Sequence, residues 1–72
     1  MNQPLVNSPK PAQLAESRRD ISKLHTEAYI TLQNIELAWG VDHPLAAAAR
    51  DAYNAAIRLE VALCKTPEYQ NS

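Results

Sequence analysis

The sequence is poor in the residues on which many fold classes depend. Its 72 residues include one Gly, one Cys and no Phe, and seven Lys and Arg stand against eight Asp and Glu. A single Cys cannot form an internal disulfide, which is typical of a reducing compartment, so we expect a cytoplasmic protein. A chain this short forms at most one domain and has little material for an enclosed pocket, so we expect no enzymatic activity.

Membrane and metal-binding patterns are also missing. No apolar run reaches the ~18 to 20 residues of a membrane span, and residues 1–11 lack the apolar segment of a signal peptide. His25, His43 and Cys64 do not have the spacing of a structural zinc site. We predict no membrane association, no metal, no cofactor and no catalytic residue, with a packing role for His25 and a snorkelling or interface-paired carboxylate at Glu60.

Helical periodicity is what the first half of the chain does contain. Seven apolar residues fall within a sector of roughly 80° when they are projected at ~100° per residue. These residues are Leu14, Ile21, Leu24, Ala28, Leu32, Ile35 and Trp39. The pattern stops at Gly40, the only glycine, where a left-handed C-cap would end a helix. We predict a first helix over residues 12–39, with Trp39 closing the end of the core, and a flexible Pro-rich tail at 1–11.

A second helix follows a short connection. Residues 40–43 form the predicted turn, and Pro44 suits the first position of a helix, with Asp42 or His43 as the candidate cap. The predicted buried stripe of this helix is Leu45, Ala49, Ala52, Ala56, Leu59 and Leu63. The helix should cover residues 44–65, and Pro67 should end it, leaving 67–72 as a C-terminal tail. Because a short connection joins antiparallel neighbours, residues 12–66 are predicted to form an all-α, antiparallel two-helix hairpin.

Apolar residues outside these stripes indicate a second buried surface. A helix that is apolar on two faces is usually buried on two faces, and two helices alone supply little core. We therefore expect a homodimer in which two hairpins complete a four-helix bundle. The candidate residues for this dimer or for a partner interface are Tyr29, Ile30, Gln33, Leu37, Val41, Tyr53, Ile57, Val61 and Cys64.

Protein–protein interaction is the function that these expectations favour. The chain would dock a helix face on an unidentified protein partner, as small bacterial or phage regulators and inhibitors do. One alternative is nucleic-acid binding through the basic cluster Arg18, Arg19 and Lys23. In length and helix count, a dimer with such a cluster resembles the Rop type of RNA-binding hairpin dimer. Another alternative is a structural subunit of a larger assembly. The sequence does not decide which apolar face binds a second copy and which binds a target.

Overall fold

The computed structural model describes residues 10–70, which are helical apart from short connections. Helix α1 spans Pro11–Trp39, helix α2 spans Pro44–Cys64 and a short helix α3 spans Pro67–Gln70. The two long helices pack against each other along the hairpin. Within residues 10–70 there is no strand, and the predicted all-α hairpin is confirmed.

The start of α1 is fixed by two hydrogen bonds between Lys10 and Gln13. The Gln13 side-chain oxygen accepts the Lys10 backbone N–H at 2.9 Å, and the Gln13 N–H donates to the Lys10 carbonyl at 2.9 Å. Pro11 occupies the first helical position, where its missing N–H leaves no bond unmade. The helix therefore begins one residue before the predicted start, and the rest of the predicted tail, residues 1–9, lies outside the described residues.

The turn between the long helices depends on Gly40 and His43. Gly40 has φ 97° and ψ 150°, and its N–H donates to the Glu36 carbonyl at 2.9 Å. This φ favours glycine, although the ψ differs from the left-handed helical conformation that the sequence led us to expect. His43 Nδ1 accepts the Leu45 N–H at 3.0 Å and caps α2.

The C-terminal segment is not a simple tail. The expectation for residues 67–72 is wrong over Pro67–Gln70, which form α3. The Thr66 hydroxyl donates to the Leu63 carbonyl at 2.8 Å and accepts the Tyr69 N–H at 3.3 Å. A hydroxyl cap followed by Pro starts a new turn of helix, so Pro67 ends one helix and begins another. The half-buried Tyr69 thereby comes beside Leu14 at the open end of the hairpin.

Burial in the hairpin is slight and is shared between α1 and α2. The three buried residues among those described are Leu32, Ala46 and Ala56. Four further members of the predicted α1 stripe are half-buried, namely Leu14, Ile21, Ala28 and Ile35. Leu24 and Trp39 depart from the prediction and are 48% and 57% exposed. Trp39 does not close the core, because its ring lies against His43 at the turn, with centroids 5.0 Å apart.

The buried face of α2 differs from the predicted one. Leu45, Ala52 and Leu59 are exposed, whereas Ala46 and Tyr53 face α1. On α2 the buried face in the structure is rotated by roughly 70° about the helix axis from the predicted stripe. On α1 the corresponding rotation is roughly 20°. The prediction is confirmed at Ala56, which is buried, and at the half-buried Ala49 and Leu63, and it is wrong at the three exposed positions. It weighs hydrophobicity alone, whereas polar side chains on both helices help to set the contact between them.

The hairpin is a single layer of helices. The principal extents are 51 × 25 × 15 Å, so the molecule is about one helix thick. Globular domains bury their apolar faces by stacking at least two layers. Neither long helix in the described part of the chain combines the length and apolarity needed to cross a membrane. Both broad sides of the hairpin are therefore open to a second layer.

Candidate interaction surfaces

One broad side of the hairpin carries an exposed apolar stripe, which we call the alanine face. It consists of six residues of α2 together with Leu24 of α1. The α2 residues are Leu45, Ala48, Ala52, Ala55, Leu59 and Ala62. All seven are exposed, and Leu45 and Leu59 are each 43% exposed. Their alternating spacing of three and four residues is the pattern of a helix that packs along another helix.

Side chains on the other broad side link the two helices. Tyr53 lies between Tyr29 and His25, with ring centroids 5.5 Å and 5.4 Å away. His25 Nδ1 is 2.7 Å from Glu60 Oε1, a contact within one chain that the separate expectations for these two residues did not include. These contacts direct Tyr53 and Glu60 toward α1 and leave the α2 residues of the alanine face pointing away from it.

A second link lies near the turn. The Arg50 guanidinium donates to Glu36 Oε2 at 2.9 Å and to the Val41 carbonyl at 3.1 Å. One side chain of α2 thus holds both α1 and the connection. Sequence analysis missed this contact, although charges placed at the margins of both stripes were a signal for it.

At the open end, the same broad side as the aromatic cluster carries a groove, which we call the basic groove. Its volume is about 1020 Å³, and most of its surface is formed by apolar atoms, including the aliphatic stems of its charged side chains. Four cations line it: Arg18, Arg19 and Lys23 of α1, and Lys65 after α2. The apolar part of the lining is formed by Val61, Leu63, Cys64 and Tyr69.

No known protein family, curated protein or solved structure significantly matches this chain. Its function must therefore be inferred from the surfaces themselves. Among residues 10–70, no three or more His, Cys, Asp or Glu side chains are gathered so that they could hold a metal ion. What the described surfaces can do is bind by apolar contact and by charge.

The sequence-predicted interface residues do not form one surface. Ile30, Leu37 and Val41 are exposed on the outer side of α1 and in the turn, and Leu37 is 87% exposed. Tyr53 and Ile57 are half-buried on the side of α2 that faces α1. The candidates therefore divide between the outer surface of α1 and the contact between the helices.

The remaining candidates fall into two further places. Tyr29 is 46% exposed and its hydroxyl accepts the Gln33 side-chain amide at 3.2 Å, at the edge of the aromatic cluster. Val61 and Cys64 line the basic groove. There they meet the basic cluster that the sequence assigned to nucleic acid, so residues from two separate hypotheses form a single site.

Sequence analysis missed two components of the groove. The sequence predicts Lys65 as the end of a helix and Tyr69 as part of the C-terminal tail, but both line the groove. The signal was the pair Thr66 and Pro67, which caps and starts α3. The position of Tyr69 follows from that short helix.

Proposed function

We propose that this chain is a small non-enzymatic interaction protein, a regulator or inhibitor of a partner protein, that works as a homodimer of hairpins. The observation that carries the proposal is the exposed alanine face. In water, contiguous exposed apolar surface on a small protein marks a binding site. A second copy is the occupant we favour, and the dimer would be a four-helix bundle.

The positions of the apolar stripes support this assembly. On each helix the most apolar stripe is displaced around the helix axis from the face that contacts the other helix. The displacement is roughly 20° on α1 and roughly 70° on α2. Viewed along each helix from its N-terminus to its C-terminus, both displacements have the same rotational sense. Because the helices are antiparallel, rotations of the same sense carry both stripes to the same broad side. The axis of a four-helix bundle would lie on that side, since each helix must face its hairpin partner and the second layer together.

The alanine face also suits a second copy of itself. From Leu45 to Leu59 the order of residue types in the stripe, Leu-Ala-Ala-Ala-Leu, is the same in both directions. An antiparallel copy centred on Ala52 would place Leu against Leu at the ends and Ala near Ala between them. Small residues allow the closest approach of helix axes, toward ~8 Å. The broad side of the 51 × 25 × 15 Å molecule is large enough for an interface of ~800 Å² per partner, and the alanine face would supply the apolar part of that contact along α2.

Sedimentation equilibrium of the full chain tests the dimer. We expect a mass twice the 8.0 kDa of one chain, and a return to the single-chain mass in Leu59→Glu. Leu37→Glu is the matched control, because it introduces the same charge at an exposed Leu outside the alanine face, and it should keep the mass of the unsubstituted chain. A single-chain mass for the unsubstituted protein, or the same loss of mass in both variants, would contradict the proposal.

Nucleic-acid binding remains the second candidate, because Arg18, Arg19 and Lys23 lie together in the basic groove. Binding to phosphate would be strongly salt-dependent. The mostly apolar lining favours a protein ligand over a phosphate backbone, and the next experiment includes an RNA arm. A role as a structural subunit of a larger assembly has no specific contact in its favour.

A further inference from the structure

The basic groove concentrates positive charge in a chain whose net charge is -1. It holds four of the seven Lys and Arg residues, and none of the four has an ion-pair partner within residues 10–70. Glu27 and Glu60 also line the groove, but Glu60 is already paired with His25 at 2.7 Å. The cations are therefore available to an anionic ligand.

The dimensions of the groove indicate a short ligand segment. Along α1 its lining extends from Arg18 to Glu27, a distance of about two to three helical turns. Val61, Leu63 and Cys64 form an apolar patch on the α2 wall, and Tyr69 lies at the open end. A ligand that matches both features carries apolar side chains on one face and carboxylates along its edges.

We propose that the basic groove binds an acidic, amphipathic segment of a partner protein, two to three helical turns long. Apolar side chains of that segment pack on Val61, Leu63 and Cys64, and its carboxylates pair with the four cations around them. The inference rests on the proposed function only in that the chain acts by binding a protein. It does not depend on the dimer, because the groove and the alanine face lie on opposite broad sides.

Other occupants fit the groove less well. Residues 1–9 of the chain itself contain no acidic residue, so they would leave the cations unpaired. Single-stranded nucleic acid is held by aromatic side chains on which successive bases stack, and Tyr69 is the one aromatic residue that lines the groove. A segment with both carboxylates and apolar side chains can pair with the cations and also pack on the apolar patch.

Selection of peptides on the immobilised full chain tests the proposal. The probe is a displayed library of random 12-residue peptides, followed by affinity measurement of the enriched peptides by fluorescence anisotropy. We expect enriched peptides with net negative charge and apolar residues three or four positions apart, whose binding weakens as salt rises. A labelled 12-nucleotide RNA is measured in parallel and should bind more weakly than these peptides.

Three variants locate the binding. Arg19→Glu reverses a charge on the rim, and Val61→Ser removes part of the apolar wall. Each should weaken binding of the enriched peptides at least tenfold. Arg58→Glu is the matched control for charge reversal, because Arg58 is exposed on α2 and does not line the groove, and it should leave the affinity unchanged.

Several results would overturn the proposal: no enrichment, enrichment of neutral or basic peptides, equal losses in Arg19→Glu and Arg58→Glu, or tighter binding of the RNA. The mass by sedimentation is a separate readout. A single-chain mass together with groove-dependent peptide binding would reject the dimer and keep the groove. A dimeric mass with no peptide binding would keep the dimer and reject the groove as a peptide-binding site.

Discussion

Gly40 is the residue at which the chain leaves α1 and reverses direction. Its φ of 97° with ψ of 150° belongs to a backbone region that is essentially restricted to glycine. The space around it is open, since an added Cβ would meet nothing within 4 Å. The requirement for glycine is therefore conformational and does not come from packing.

We predict that Gly40→Ala lowers the free energy of unfolding by about 1 to 3 kcal/mol. Gly40→Asn should cost a similar amount, because the tolerance of Asn for positive φ applies to the left-handed helical region, which has a smaller ψ. Urea denaturation followed by circular dichroism, at one protein concentration for all variants, measures both values. Recovery of stability in the Asn variant would show that the turn uses the left-handed helical conformation.

Ala46 is a second residue with a defined steric role, because it is fully buried at the contact with α1. We predict that Ala46→Leu costs about 1 to 3 kcal/mol through overpacking. Ala47→Leu is the matched control on the exposed side of the same turn, and it should change stability by no more than about 0.5 kcal/mol. Thermal and urea unfolding compare the two variants, and equal effects would mean that the helices do not approach each other at Ala46.

At the scale of elements, the orientation of α2 depends on polar contacts that cross the hairpin. Arg50 bonds to Glu36 and to the Val41 carbonyl. The side chains of the ion pair are 41% and 29% exposed, so water screens their attraction, and the coupling between them should be about 0.2 to 1 kcal/mol.

We predict that Arg50→Ala destabilises the hairpin by about 1 kcal/mol, since it removes the ion pair and the bond to the turn. A double-mutant cycle with Glu36→Gln measures the coupling, which should fall when salt is raised. Arg58→Ala is the control, because Arg58 is exposed and forms no ion pair within the described residues. A coupling of zero at low salt would show that this contact does not orient α2.

The ends of the long helices and most of the buried stripe of α1 were predictable from the sequence. Gly40 and Pro44 impose local backbone conformations, so their effects can be inferred without knowing the rest of the fold. The orientation of α2 was not predictable in this way. Hydrophobicity indicates which residues avoid water, whereas the side of α2 that faces α1 is also set by Tyr53 and Glu60, whose partners lie far away in sequence.

The candidate site was predictable only in parts. The sequence indicated Val61 and Cys64 as interface residues and Arg18, Arg19 and Lys23 as a basic cluster. That they line one groove depends on the rotation of α2 and on α3, which brings Tyr69 to the open end. Both are consequences of long-range contacts and capping that a helical projection does not represent.

For the molecule as a whole, the decisive property is its single-layer shape, 15 Å in its smallest extent. One broad side has cross-helix polar links and the basic groove, and the other has the alanine face. This division of surfaces suits a protein that pairs with its own copy on one side and holds a partner on the other. The pairing through the alanine face is the central claim.

Isotope-filtered NOE spectroscopy on an equimolar mixture of ¹³C-labelled and unlabelled full-length chain tests this claim most directly. The account predicts intermolecular contacts from the methyl groups of Ala52, Ala55 and Leu59, and none from Leu37. Intermolecular contacts confined to Ile30 and Leu37, or none at a concentration at which the chain is dimeric by mass, would contradict it.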